Sequence, residues 1–321
     1  MQYFNYNNNK YSKICLGTWS LSGSKSNVKS YDKLSEKKIY NLLDEAVSNG
    51  INFFDTAPVY GDSEKFLGKF IRNFREKIFI ASKVGCKSFN QKLNFEKKFI
   101  SNQVNKILSN LNSDYIDIIQ LYNPDPSDGK IFQAIEELEN LKNKKKIINI
   151  GVSLNRPDDY LKIRKIYKFN FVQCNFNVLD QRLIDYDIFR LIKKDRVRLM
   201  GRTILNFGIF TEDFIKKKKI NFSKHDHRIM WNKEQINRWK YYANKIKKIS
   251  NRKIETTCYR FGNSFNLSGL IVGATKPQHL KQSLEKKNYL KINDNELKKI
   301  RHIYKLFNST LLDRPNYKIK T

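Results

Sequence analysis

Short apolar runs alternate with longer amphipathic stretches along most of this 321-residue chain. Eight of the runs are only a few residues long and rich in Ile, Val and Phe, which is typical of buried parallel strands. They lie at residues 13–17, 52–55, 78–83, 116–121, 147–152, 171–174, 197–200 and 269–274. Between them, apolar positions recur at the three- and four-residue spacing of helices. Helices are predicted at about residues 35–49, 96–111, 130–142, 157–167, 184–194, 233–249 and 277–286.

Eight strands that alternate with helices predict a closed parallel (β/α)8 barrel, or TIM barrel, formed as a single α/β domain by residues 1–321. An open doubly wound sheet would usually carry GxGxxG after its first strand, whereas the first predicted strand here ends in GTWSLSG. The stretch from about 205 to 250 is too long for a simple crossover. It predicts an elaborated loop and helix over the barrel mouth, where such folds keep their sites.

The composition fits a protein with a sizeable core, since 40% of the residues are hydrophobic and 13% aromatic. The net charge of +31 suits a partner that carries phosphates, and nucleic-acid binding that weakens with salt is the corresponding hypothesis. Lysines are nevertheless spread through nearly every predicted helix. The densest runs, Lys142 with Lys144–Lys146 and Lys216–Lys219, are expected to be solvated surface. We therefore expect no specific nucleic-acid partner, and a field that attracts anionic substrates and a phosphorylated cofactor.

The N-terminal residues include no apolar core of a signal peptide, and no apolar run approaches the roughly 18 to 20 residues that span a bilayer. We expect a cytoplasmic protein without a membrane partner. The cysteines form no CxxC pair, which argues against a disulfide scaffold or a zinc site and suits a reducing compartment. His225 and His227 form an HxH pattern that lacks a third ligand at sensible spacing. A surface loop is therefore favoured over a metal site.

The strongest local signal is the segment GINFFDTAPVYGDSEKFLG at residues 50–68. Its buried strand ends in Asp55, and a short turn then presents Tyr60 before a helix begins. The next predicted strand ends in Lys83. Because neighbouring strands of a parallel barrel end at the same edge, these three side chains are expected to converge at the barrel mouth.

These three residue types suit the reduction of a carbonyl by hydride transfer, because the oxygen must receive a proton. A free tyrosine has a pKa of about 10, too high to exchange protons easily near neutral pH. A nearby ammonium group would stabilise the phenolate and lower that pKa. We predict that Tyr60 is the general acid, that Lys83 is its electrostatic partner and that Asp55 holds the lysine in place.

The block 50–68, with Lys83 following, resembles the signature of the aldo/keto reductases. The similarity continues over nearly the whole chain. The matching segments are LGTW (16–19), DYIDIIQLYNPDP (114–126), GVSLN (151–155), VQCNFNVLDQR (172–182), LMGRTILNFGIFT (199–211) and GLIVGATKPQHL (269–280). The resemblance implies an oxidoreductase that interconverts a small carbonyl compound and its alcohol. It also implies NADPH, or less often NADH, bound without a Rossmann fold.

By the same resemblance, Ser153 and Gln173 would hold the nicotinamide carboxamide, and Arg202 would stack where many relatives have a tyrosine. Lys276 would meet a 2′-phosphate, which favours NADPH over NADH. The other implied cofactor residues are Gly17, Thr18, Thr203, Leu205, Gly208, Gly273, Ala274, Thr275, His279 and Ser283. Trp19 and Trp231 are predicted to line the substrate pocket, although Trp231 would also fit as a packing residue of the long insert.

The chain departs from the family pattern at two strand ends. Leu154 follows Ser153 where the family usually has asparagine, and Asn155 comes one position late. The family's tetrad histidine is replaced by Tyr122, whose hydroxyl can donate a hydrogen bond but from another position in the pocket. Three alternatives stay open: a reductase of a small polar or sugar-type carbonyl, a reductase of activated C=C bonds, and a cofactor-binding sensor or accessory subunit with little turnover.

Overall fold

The computed structural model describes residues 1–22 and 30–309. Within them, eight parallel strands close into a barrel in chain order from β3 to β10, and β10 pairs with both β3 and β9. The strands are β1 Tyr3–Tyr6, β2 Asn9–Ser12, β3 Ile14–Gly17, β4 Phe53–Asp55, β5 Phe79–Val84, β6 Ile116–Tyr122, β7 Ile147–Leu154, β8 Phe171–Asn175, β9 Arg198–Arg202 and β10 Gly269–Gly273. The predicted (β/α)8 barrel is confirmed.

Helices surround the barrel, and four of the predicted ones end within one residue of their expected bounds. The helices are α1 Glu36–Ser48, α2 Ser63–Ile71, α3 Lys97–Leu111, α4 Lys130–Asn143, α5 Tyr160–Ile163, α6 Arg182–Asp185, α7 Ile188–Asp195, α8 Glu212–Ile215, α9 Lys233–Ser250, α10 Ile254–Asn263, α11 Pro277–Ser283 and α12 Asp294–Ser309. The helix predicted at 184–194 is split between α6 and α7. Asp187 lies between them with a φ of 53°, a left-handed conformation that a right-handed helix cannot continue.

An N-terminal hairpin that the pattern did not predict, formed by β1 and β2, covers the end of the barrel where the strands begin. Tyr11 of this hairpin lies 4.0 Å from the ring of Phe79 and 5.3 Å from that of Phe53, measured between ring centroids. Both phenylalanines open their strands. The hairpin therefore closes the base of the barrel, and the opposite end, where the strands finish, is left for a site.

The helices pack against the barrel through the apolar faces that the sequence pattern indicates. In α3, Ile100, Val104 and Ile107 are fully buried. Gly68 of α2 lies so close to α3 that a Cβ on it would be 2.5 Å from the backbone carbon of Leu111, which explains why glycine stands there.

Among the described residues, no helix is long and apolar enough to cross a membrane.

The segment between β9 and α10 contains α8, a 3₁₀ turn at His227–Met230 and the long helix α9. A parallel β-bridge joins Ser30 to Asp226 and ties this insert to the loop that follows β3. We call residues 226–231 the strap. The insert's lysine run, Lys216–Lys219, is exposed as the sequence predicts.

Candidate active site

Asp55 and Lys83 form a buried ion pair at the ends of β4 and β5. The Lys83 Nζ donates to both oxygens of the Asp55 carboxylate, at 2.8 and 2.7 Å, and to the backbone oxygen of Thr56 at 2.9 Å. All three ammonium hydrogens are thereby used, and only 1% of Lys83 is exposed. A buried charge this completely paired is held in one position.

Tyr60 lies beside this pair, as the sequence predicts. A tight turn carries it, in which the Tyr60 amide donates to the Ala57 carbonyl at 2.9 Å and Gly61 follows with a φ of 63°. The Lys83 Nζ lies over the face of the Tyr60 ring, 4.9 Å from its centroid. The ammonium group is therefore close enough to stabilise negative charge on the phenol.

The expectation that Lys83 lowers the pKa of Tyr60 is wrong for this arrangement. Burial raises the pKa of Tyr60 above its ordinary value and the Asp55 carboxylate adds to the increase, while Arg202 opposes it. The Asp55 carboxylate that pairs with Lys83 thus acts on the phenol in the opposite direction to the ammonium group. Tyr60 consequently holds its proton at neutral pH, which is the form that a proton donor needs.

Tyr122 ends β6 and lies in the same pocket, packed with Tyr60 against Ala57, Val59 and Cys86. Burial raises its pKa, and the neighbouring Tyr60 adds to the increase, so the hydroxyl of Tyr122 keeps its hydrogen. The structure thus places a second phenol next to the first.

A chain of side chains connects the ion pair to the ends of β7 and β8. The Gln173 Nε2 donates to Asp55 Oδ1 at 2.7 Å, and the Ser153 hydroxyl donates to the Gln173 Oε1 at 3.3 Å. Gln120 Nε2 lies 3.5 Å from the same Asp55 oxygen. Sequence reasoning missed Gln120, although it precedes Tyr122 by two positions and so shares its face of the strand.

Several buried polar atoms at this edge of the barrel have no hydrogen-bond partner among the described residues. They are Asn123 Oδ1, Asn175 Oδ1, Arg202 Nε and Asn206 Nδ2. The Arg202 Nη2 does donate to Asn155 Oδ1 at 2.8 Å and to the Leu154 carbonyl at 3.3 Å. Because unsatisfied buried polar groups are costly, their concentration where the strands end fits a polar ligand such as a nicotinamide cofactor.

The loop that follows Arg202 has an unusual backbone. Four of its residues have positive φ, namely Thr203 at 63°, Asn206 at 42°, Phe207 at 55° and Gly208 at 83°. A β-branched residue with positive φ is uncommon, and such strain concentrates at ligand sites. The Asn177 Nδ2 holds the strained turn by donating to the Thr203 carbonyl at 3.1 Å. Turns of this kind form concave backbone cradles for anions, which fits a cofactor pyrophosphate near Leu205.

The residues aligned with an adenosine phosphate lie at the exposed end of β10. Gly273 faces open space, since a Cβ on it would meet no atom within 4 Å. Lys276 is exposed and immediately precedes Pro277, the first residue of α11. The Thr275 amide donates to His279 Nδ1 at 3.4 Å, which fixes the imidazole beside the lysine.

Other residues assigned to the cofactor lie deeper in the protein. Ser283 is fully buried and its hydroxyl donates to the Leu280 carbonyl at 2.7 Å, so this hydroxyl already has a partner within the protein. Gly17 and Thr18 are buried where β3 ends, and the Thr18 hydroxyl donates to the Asp55 carbonyl at 3.1 Å. Both residues therefore contact the backbone of Asp55 at the end of the barrel that carries the site.

Aromatic rings form one wall of the pocket. The ring of Trp19 lies 6.2 Å from that of Tyr60 and 4.4 Å from the imidazole of His227. Trp231 is buried, 5.0 Å from His227 and 5.5 Å from Trp239. Trp19 therefore lies next to Tyr60, whereas Trp231, the last residue of the strap, packs between His227 and Trp239.

The two histidines of the HxH pattern have different surroundings. His225 is exposed, as predicted for a surface loop, but His227 is buried and its assignment to a surface loop is wrong. The β-bridge to Ser30 draws it inward over Trp19. Across the described ranges, no group of three or more His, Cys, Asp and Glu side chains could hold a metal ion.

Comparison with known proteins agrees with this geometry. The aldo/keto reductase family model matches residues 13–305. The uncharacterized oxidoreductase YqkF of Bacillus subtilis is 26% identical over 296 residues, covering 89% of this chain and 90% of its own. D-arabinose 1-dehydrogenase of Saccharomyces cerevisiae is 24% identical, covering 86% and 84%. The structure of the glycerol dehydrogenase AKR11B4 from Gluconobacter oxydans superposes with a TM-score of 0.74 at 21% identity, covering 98% of this chain and 96% of its own.

Proposed function

The chain belongs to the aldo/keto reductase family of oxidoreductases, and we propose that it uses NADPH to interconvert a carbonyl and an alcohol on a small polar, sugar-type substrate. The observation that carries this proposal is the convergence of Asp55, Lys83 and Tyr60, with the lysine 4.9 Å from the phenol ring and paired to the carboxylate. A proton donor next to a fixed cation is what carbonyl reduction requires of a protein.

A bound nicotinamide supplies the hydride in reduction and accepts it in oxidation. Tyr60, protonated at neutral pH, donates its proton to the carbonyl oxygen as negative charge develops there. Lys83 limits the charge that then remains on the phenolate, and Asp55 fixes the lysine. Tyr122 donates a second hydrogen bond to the same oxygen and thereby takes over the orienting role of the histidine that this chain lacks.

The preference for NADPH is supported by Lys276, an exposed cation next to Thr275 and His279 where the 2′-phosphate would lie. A sugar-type substrate is supported by the similar proteins, two of which are named for a sugar and a polyol. The positive charge of the whole chain adds a field that attracts phosphorylated molecules.

The test is titration of the protein with NADPH and NADH, followed by assays of NADPH oxidation with aldehydes, ketones and aldoses. We expect tighter binding of NADPH, and turnover that Tyr60→Phe abolishes. Tyr40→Phe is the matched control, because Tyr40 packs on Phe66 away from the site.

Tight cofactor binding with trace turnover, unchanged in Tyr60→Phe, would instead favour a sensor or accessory subunit. Conversion of an unsaturated ketone to the saturated ketone, not to the alcohol, would indicate C=C reduction. Failure to bind either nucleotide would contradict the proposal.

A further inference from the structure

We propose that His227 and Trp19 form a subsite for a hydroxyl group of the substrate, close to the reacting carbonyl. This inference rests on the proposed function and adds to it the residues that would recognise one hydroxyl group of the substrate. Two buried polar atoms point to it. The Nε2 of His227 and the Nε1 of Trp19 have no hydrogen-bond partner within residues 1–22 and 30–309.

The tautomer of His227 follows from its other ring nitrogen. Nδ1 lies 2.5 Å from the Ser30 carbonyl oxygen, which can only accept, so Nδ1 carries the hydrogen. Nε2 of the neutral ring is then a bare acceptor. Burial lowers the pKa of His227 to about 4, which keeps the imidazole neutral at pH 7. With 9% of the residue exposed, bulk solvent gives this acceptor little compensation.

The indole of Trp19 provides the complementary group, because its Nε1 can only donate. The two rings are 4.4 Å apart, and Trp19 also lies 6.2 Å from the ring of Tyr60. The donor and the acceptor without partners therefore belong to two rings in contact, and one of these rings lies near that of Tyr60. A group that binds both must accept from Trp19 and donate to His227.

A hydroxyl group does both, whereas carbonyl, carboxylate and phosphate oxygens only accept. The charged groups nearby also disfavour a cationic ligand. The Arg228 guanidinium lies over the Tyr31 ring, 5.1 Å from its centroid, and donates to Asp226, whose Oδ1 is 3.6 Å from His227 Nδ1. The acidic group on this side is thus already paired. A neutral hydroxyl suits the subsite best.

Aromatic side chains enclose the imidazole. The rings of Tyr31 and Trp231 lie 5.0 Å away and that of Phe207 lies 5.6 Å away. A substrate without the hydroxyl would leave both nitrogens unpaired inside this apolar wall. Sites built to pair a substrate hydroxyl discriminate strongly against the analogue that lacks it.

The test compares three aldehydes of the same chain length: propanal, 2-hydroxypropanal and 3-hydroxypropanal. We expect one hydroxylated aldehyde to show a kcat/KM about tenfold above that of propanal, the effect of one or two neutral hydrogen bonds. His227→Asn keeps a donor for the Ser30 carbonyl but removes the acceptor at Nε2. It should reduce the preference to about unity, because KM rises more for the hydroxylated aldehyde than for propanal. Trp19→Phe should act in the same direction.

His225→Asn is the matched control, because His225 is exposed two positions away and should leave the preference intact. Equal loss of activity on all three aldehydes in His227→Asn would overturn the proposal, because the histidine would then only hold the strap. If the wild-type protein turns over none of the three aldehydes, the subsite is tested by the binding of alcohols instead. Tryptophan fluorescence of the protein saturated with NADP⁺ would be titrated with propan-1-ol, propane-1,2-diol and propane-1,3-diol. Diol-dependent binding that His227→Asn removes would support the subsite while the proposed function failed, and equal binding of all three would overturn it.

Discussion

Asp55 and Gln173, 118 residues apart in sequence, are joined by a hydrogen bond of 2.7 Å in the centre of the barrel mouth. The same carboxylate holds Lys83 on both of its oxygens. One acidic side chain therefore fixes the lysine beside the proton donor and also orients the amide that we assign to the nicotinamide carboxamide. Asp55 therefore links Lys83, which lies beside Tyr60, to the amide that we propose as a cofactor contact.

Replacement of Asp55 is expected to weaken cofactor binding as well as turnover. In Asp55→Asn the Gln173 amide loses a charged acceptor, so we expect the Kd for NADPH to rise about three- to tenfold. Gln120→Leu is the comparison, because its longer contact of 3.5 Å to the same oxygen should affect binding less. Fluorescence titration measures both. An unchanged Kd in Asp55→Asn would show that Gln173 is oriented without the carboxylate.

Tyr122 is expected to assist the reaction without being essential. Tyr122 packs on the same apolar cluster as Tyr60, and its hydroxyl remains protonated because burial raises its pKa. Loss of one neutral hydrogen bond in Tyr122→Phe should lower kcat by about tenfold, far less than the effect of Tyr60→Phe. Steady-state kinetics of the two variants provide the comparison. A kcat unaltered by Tyr122→Phe would assign the residue to packing.

The buried ion pair makes Lys83 important for folding. Lys83→Met leaves the Asp55 carboxylate buried without its cation, and we expect a loss of about 3 to 5 kcal/mol in the free energy of unfolding. The double variant Asp55→Asn with Lys83→Met should recover part of that loss, because no uncompensated charge remains. Urea unfolding monitored by circular dichroism measures both. Equal destabilisation in the single and double variants would contradict this explanation.

The barrel and the position of its catalytic group follow from local sequence pattern. Strands of three to eight residues, separated by amphipathic helices, leave few alternatives to a closed parallel sheet. Once that topology is assumed, Asp55 and Lys83 must meet, because β4 and β5 are neighbours and both residues lie near strand ends. Their proximity can therefore be predicted from the order of the strands along the chain.

Features that depend on contacts between distant segments could not be predicted in this way. His227 is buried because the strap pairs with Ser30, 197 residues earlier, and nothing in HDHRIMW indicates that pairing. Ser283 was aligned with a ligand contact, yet α11 turns its hydroxyl inward to the Leu280 carbonyl. The sequence pattern predicts that Lys83 lies near Tyr60 but not that Tyr60 is buried beside Asp55, and these two effects raise its pKa.

The preference for NADPH is expected to depend on Lys276. It is exposed beside Thr275 and His279, and its loss removes a cation from the proposed position of the 2′-phosphate. Lys276→Met should raise the Kd for NADPH about tenfold and leave that for NADH unchanged, since NADH lacks the phosphate. Lys281→Met is the control, because Lys281 lies within α11, which Lys276 precedes, but pairs with Glu45 at 3.6 Å. Equal weakening of both nucleotides would assign Lys276 another role.

His227 is expected to make the fold sensitive to mild acid. Burial lowers its folded-state pKa from 6.5 to about 4, and the charge of Arg228 lowers it further. The Ser30 carbonyl and Asp226 act in the opposite direction but do not compensate for burial. Above pH 6.5 the imidazole is neutral in both states and contributes no pH dependence. As the pH falls from 6.5 towards 4, only the unfolded chain takes up the proton, so the folded state loses up to about 3 kcal/mol.

Urea unfolding at pH 7.5 and at pH 4.5 measures this loss. Other buried groups titrate in both proteins, so the informative quantity is the difference between wild type and His227→Asn. We expect the wild type to lose more stability than the variant over this interval, because the variant has no imidazole to protonate in its unfolded state. The exposed His225, replaced by asparagine, should leave the pH dependence of the wild type intact. If the free energies of unfolding of wild type and His227→Asn fall equally between pH 7.5 and pH 4.5, His227 is protonated as easily in the folded state as in the unfolded chain. Nε2 would then carry a hydrogen at acidic pH and could not act as the acceptor that we propose.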